Sequence, residues 1–191
     1  MRKRSMFLTT ALLLAWPLAA GAAPSRDQVE LTLSGIEHVP GKAALERLGP
    51  GVDEVLRDIA LKPSAKRMLA GTRAITLLRL FPSKKTNAAL LELVRKYRRV
   101  KKPGVQLLNL QQALTSYAVV AGPGALKEIE PLLAHVNVDV RYAACEAARL
   151  SKSSRAITVL QRRQQLEQAP MVRHQLKRQI ELITRPPVLA K

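Results

Sequence analysis

Apolar residues recur along this chain at three- and four-residue steps, separated by loops that break helices. The loops are Gly49-Pro50-Gly51, Phe81-Pro82-Ser83-Lys84, Gly122-Pro123-Gly124 and Ser151-Lys152-Ser153-Ser154. Anchored on residues 49, 83, 122 and 151, they stand 34, 39 and 29 residues apart, each the length of a helical hairpin with its connection. At seven, ten and eleven residues past the first three anchors stand Leu56, Ile59 and Ala60, then Leu90, Leu93 and Val94, then Ile129, Leu132 and Leu133. That spacing is one face of an α-helix. The fourth loop departs from the rule, with Thr158, Gln161 and Arg162 at those offsets. Its stripe moves to Ile157, Leu160 and Gln164, which predicts a second helix that is rotated or begins later.

The spacing predicts helices over 42–48 and 52–61, 64–81 and 86–99, 104–121 and 125–134, 138–150 and 154–167, and finally 170–184. Ser64 and Asn137 are suited to cap helix starts, Pro170 to a first helical position, and Gly49 and Gly122 to helix ends. Val29-Glu30-Leu31-Thr32-Leu33 alternates as a short strand would. With no partner strand in the chain, residues 23–41 read as an extended arm or N-terminal cap. Residues 185–191, with Pro186-Pro187, read as a flexible tail.

Ten residues before three of the loops stand Arg73, Gln112 and Arg141. Val140-Arg141-Tyr142-Ala143-Ala144 returns 32 residues on as Val172-Arg173-His174-Gln175-Leu176. Asn137-Val138-Asp139-Val140-Arg141-Tyr142-Ala143-Ala144, ending at Leu150, resembles a HEAT repeat of the short type also found in phycobilisome lyases. The resemblance extends over most of 42–184, good in 137–150, moderate in 170–183, weaker in 64–81 and marginal in 104–121. It implies an all-α fold, a right-handed α-solenoid of about four antiparallel helix pairs plus a terminal helix, in an exported bacterial member of the family. It implies that Arg73, Gln112, Arg141 and Arg173 act as a structural ladder between repeats. It implies no activity, because this repeat serves many unrelated functions.

The N-terminus changes the setting. Arg2-Lys3-Arg4 precedes the uncharged run Met6 to Ala20, and Ala20-Gly21-Ala22 places small residues at a cleavage site. This is the three-part pattern of a secretory signal peptide over 1–22, and the run is shorter than the ~20 residues a membrane-spanning helix needs. The expected location is periplasmic or secreted, with no transmembrane span after cleavage.

Composition sharpens the choice of partner. The 191 residues carry 32 Lys and Arg against 14 Asp and Glu, a formal net charge of +18, with 47% apolar and 3% aromatic residues. Six of the eight residues Arg95-Lys96-Tyr97-Arg98-Arg99-Val100-Lys101-Lys102 are basic. One or two cations would complement a helix C-terminus, and six exceed that need. In a helical solenoid the links after second helices share one edge. Those near Lys62, His135 and Arg162-Arg163 are therefore expected to line up with this cluster as a positive stripe. Arg95, Lys96, Tyr97, Arg98, Arg99, Lys101, Lys102, Arg162 and Arg163 are the candidate contacts to a protein or an anionic envelope component: lipid headgroups, lipopolysaccharide or a cell-wall polymer. Nucleic acid is the alternative partner that such charge suggests, as in HEAT-like repair proteins. The signal peptide and the scarcity of aromatic platforms argue against it.

Catalytic, cofactor and metal sites are not expected. His38, His135 and His174 lack ligand spacing, and the single Cys145 lies among small residues that favour burial. Glu128 and Glu130 fall on different helix faces. Gly49-Pro50-Gly51 and Gly122-Pro123-Gly124 lack the length and the Lys of a phosphate loop. A Cys145–His174 pair would need a third, orienting group that nothing designates.

Overall fold

The structure, a computed structural model, describes residues 22–35 and 39–185. Among these the protein is all-α. The helices are α1 (Arg26–Ser34), α2 (Lys42–Glu46), α3 (Val52–Leu61), α4 (Met68–Leu77), α5 (Lys84–Tyr97), α6 (Val105–Ala121), α7 (Leu126–Ile129), α8 (Val138–Leu150), α9 (Ala156–Leu166) and α10 (Pro170–Thr184). Residues 1–21, which carry most of the signal-peptide pattern, and the tail from 186 lie outside the described residues.

The nine stripe residues read from the first three loops are all buried. Successive helices in the row α4, α6, α8 and α10 touch one another, and α1 packs on α4 at its start. On the other side α3 packs on α4, α5 on α6, and α9 on both α8 and α10. Polar pairs tie the row together within this apolar interior: Thr72 Oγ1 donates to Asn109 Oδ1 at 2.6 Å, Thr76 Oγ1 to Gln112 Oε1 at 2.9 Å, and Arg149 Nε to Gln179 Oε1 at 2.5 Å. The small residues Ala143, Ala144, Ala147 and Ala148 are buried on α8, where they let neighbouring helices come close.

Three local readings are corrected. Residues 29–33 are not a strand, and 26–34 is not extended: α1 is a helix whose Val29 and Leu33 are buried while Leu31 faces solvent. The Ser25 hydroxyl accepts from Gln28 N–H at 3.2 Å, and Arg26 Nε pairs with Glu30 Oε1 at 2.8 Å one turn on. The chain before α1 rests on the first loop, since a Cβ on Gly49 (φ 134°) would come within 2.6 Å of Ala22 O. The helix expected over 125–134 is broken into a 3-10 turn at Gly122–Ala125, the four residues of α7, and a second 3-10 turn at Glu130–Ala134. Pro131 has no N–H to continue the α pattern, so the backbone tightens there. In α9 the buried face is Ala156, Val159 and Leu160, so of the predicted stripe Leu160 is buried while Ile157 and Gln164 are half-buried.

Candidate functional site

Hydrogen bonds connect the ends of α3 and α5, the link after α5 with the link after the turn at Glu130–Ala134, and, through Arg141 of α8, that link with the one after α9. Lys96 Nζ donates to the Leu61 carbonyl at 3.5 Å, bringing the end of α5 to the end of α3. The His135 ring meets the Arg98 carbonyl through Nε2 at 3.1 Å, while its Nδ1 accepts from Asn137 N–H at 3.0 Å. That acceptance leaves the ring proton on Nε2, where it is the donor to Arg98. Asn137 serves twice: Nδ2 donates to the Lys101 carbonyl at 3.0 Å, and Oδ1 caps α8 by accepting from Asp139 N–H at 2.8 Å and Val140 N–H at 3.3 Å.

The next connection is ionic and buried. Arg141 Nη1 donates to the His135 carbonyl at 2.8 Å and the Val136 carbonyl at 3.2 Å. The same guanidinium forks onto Glu167, Nε to Oε2 at 2.9 Å and Nη2 to Oε1 at 3.0 Å. Arg163 Nη2 adds 2.8 Å to Oε2, and the Gln168 and Ala169 amides donate to Oε1 at 3.1 and 2.9 Å. The Glu167 side chain is only 1% exposed. Burial alone would disfavour its charge, but the two guanidinium groups and the Ala169 amide outweigh that and hold the carboxyl down at about 2.

The sequence-predicted residues divide accordingly. Lys96, Arg98, Arg99, Lys101 and Lys102 are exposed and, among the described residues, none pairs with a carboxylate. Arg162 is also exposed, beside a shallow recess of about 150 Å³ lined by Leu133, Ala134, Val159 and Leu166. Three expected contacts leave the group. Tyr97 is buried at 6% exposure, because it continues the Leu93 and Val94 stripe into the core. Arg95 pairs with Glu128 at 2.6 Å, and its hydrogen bond holds that carboxyl below the ordinary range. Arg163 is committed to Glu167.

Among the described residues no hydrogen bond joins the four repeated positions to one another. Each reaches a neighbouring segment instead. Arg73 Nη1 donates to the Leu33 carbonyl at 2.5 Å and to that of Gly35, capping the end of α1. Gln112 accepts from Thr76, Arg141 bridges two links, and Arg173 Nε donates to the Glu167 carbonyl at 3.2 Å. Glu167 is the residue the sequence reading missed, and the signal for it was Arg163 four residues before it.

Cys145 is fully buried with Sγ 3.1 Å from the Arg141 carbonyl, and His174 is exposed. Burial, seconded by the Glu167 charge, pushes the thiol up to about 12. Among the described residues no helix is long and apolar enough to cross a membrane. Comparison with protein-family models, curated proteins and solved structures finds no match.

Proposed function

We propose that this chain is an exported, non-enzymatic scaffold of HEAT-like helical repeats, a right-handed α-solenoid, whose basic link edge captures an anionic partner in the cell envelope. One observation carries the reading: among the described residues four cations without carboxylate partners, Arg98, Arg99, Lys101 and Lys102, sit on the link after α5, whose Arg98 and Lys101 carbonyls are pinned to the next link by hydrogen bonds. Backbone anchoring of this kind fixes where the charges stand while leaving the long side chains free to reach a ligand. Concentrated positive charge raises the local concentration of polyanions and speeds their capture. The alternating contacts along α4, α6, α8 and α10 support the serial arrangement, and the charged, apolar and small-residue blocks of 1–22 support export.

The test is fractionation with N-terminal sequencing, followed by affinity capture on immobilised envelope components. A processed chain beginning at Ala23 in an envelope or secreted fraction, retained there in a salt-sensitive way, is expected. An intact N-terminus in the cytoplasm, with retention on nucleic acid instead, would replace this reading by the nucleic-acid one.

A further inference from the structure

The edge is not merely basic. Eight large apolar side chains are exposed among the described residues, and five of them lie at the ends of helices beside these links: Met68, Leu69, Val136, Leu166 and Met171, each 50–66% exposed. Val136 lies in the link hydrogen-bonded to Arg98 and Lys101, and Arg141 ties that link to Glu167, which follows Leu166 directly. Met171 opens the helix after it, and Met68 and Leu69 open α4 at the far side of the link that begins after Leu61, whose carbonyl Lys96 reaches. Exposed aliphatic side chains therefore stand in or at the ends of the same series of links that carries the cations. Most of the acidic groups near these links are paired with cations: Glu167 is buried under two guanidinium groups, Asp58 pairs with Arg26 and Lys62, Asp27 with Arg67, Glu128 with Arg95 and Glu130 with Arg155, while Glu92 and Asp139 are exposed.

We propose that this edge docks on an anionic lipid bilayer, with the cations on lipid phosphates and the aliphatic side chains entering the boundary between headgroups and acyl chains. The inference rests on the basic-edge reading above and goes further by choosing the ligand. A soluble sugar-phosphate or sulfated polymer would satisfy the cations and leave the five aliphatic groups in water. A protein interface of this size would be expected to centre on aromatic anchors, and the exposed surface here offers aliphatic tips beside lysines and arginines. Basic side chains with projecting aliphatic ones are the pattern that binds at a lipid interface, where both kinds of group gain.

The test uses the protein as processed and recovered from its host, with vesicles of phosphatidylglycerol, vesicles of phosphatidylcholine, and soluble dextran sulfate as probes. Two variants separate the contributions: R98S/R99S/K101S/K102S, and V136S/L166S/M171S, the second at positions already facing solvent. Circular dichroism confirms that both retain wild-type helicity. Wild type is expected to bind phosphatidylglycerol vesicles and not phosphatidylcholine. The cation variant should bind both the vesicles and dextran sulfate about tenfold or more weakly than wild type. The apolar variant should bind vesicles about tenfold or more weakly while binding dextran sulfate as wild type does. An apolar variant that binds phosphatidylglycerol vesicles like wild type overturns the lipid assignment, and if the cation variant is still weakened toward both probes the basic edge stands. A cation variant with wild-type binding to both probes overturns the two readings together.

Discussion

Replacing Glu167 with Gln isolates the buried charge on which two links converge. The substitution keeps the size and one acceptor, removes the negative charge, and turns an amide N–H₂ toward guanidinium donors. Arg141 and Arg163 are then left with side chains only 12% and 20% exposed and no carboxylate. Two lines of reasoning set the magnitude. Removing one partner of a buried pair costs about 3–5 kcal/mol. Holding the Glu167 carboxyl at about 2 rather than 4.5 corresponds to about 3 kcal/mol of folding stability. The depressed value fixes the sign: the contribution is complete above about pH 4.5 and is lost as pH falls through about 2. Urea unfolding followed by far-UV circular dichroism should show Glu167→Gln about 3 kcal/mol less stable than wild type at pH 7. The gap should shrink to less than about half by pH 3. Other carboxylates titrate in the same range but cancel in the difference between the two proteins. A gap that is absent at pH 7, or that stays constant down to pH 3, would refute the reasoning.

Three further outcomes follow from the packing. Cys145 should resist a disulfide reagent at pH 8 in the folded protein and react once urea unfolds it, since burial holds the thiol up to about 12; stoichiometric labelling of the native state within minutes would contradict this. Ala144→Leu forces extra volume into a fully buried site on α8 and should cost about 1–3 kcal/mol in urea unfolding, whereas unchanged stability would mean the helices there are not in close contact. Gly71→Ala would set a Cβ 2.6 Å from Pro63 Cβ and should cost a similar amount, about 1–3 kcal/mol, while a gain from the higher helix propensity of Ala would show that Pro63 yields freely.

Periodicity in the sequence located the helices well because a helix must bury one face, and the residues at steps of three and four are the ones that bury it. It failed where two periods coincide. Val29, Leu31 and Leu33 alternate, but Val29 and Leu33 are also one helical turn apart, and five residues do not separate the two patterns. The Ser25 cap, which lies before that window, and the Arg26–Glu30 pair, which reaches back out of it, decide for the helix. Tyr97 was legible as a core residue from its place after Leu93 and Val94, yet its basic neighbours drew it into the surface cluster. The Glu167 network was only half legible: Arg163 stands one helical turn before it, but Arg141 comes from α8, 26 residues away in sequence. The aliphatic side of the edge was hidden for a similar reason: Met68, Val136, Leu166 and Met171 look like ordinary stripe residues until the fold leaves them at helix ends.

The basic edge itself is tested most directly by the salt dependence of binding to dextran sulfate. Each cation that displaces counterions contributes about 0.7–0.9 to the slope of log affinity against log salt, by analogy with nucleic-acid polyanions. The variant R98S/R99S/K101S/K102S should therefore bind with a slope shallower than wild type by about 3, at unchanged helicity. Equal slopes for the two proteins would contradict the account.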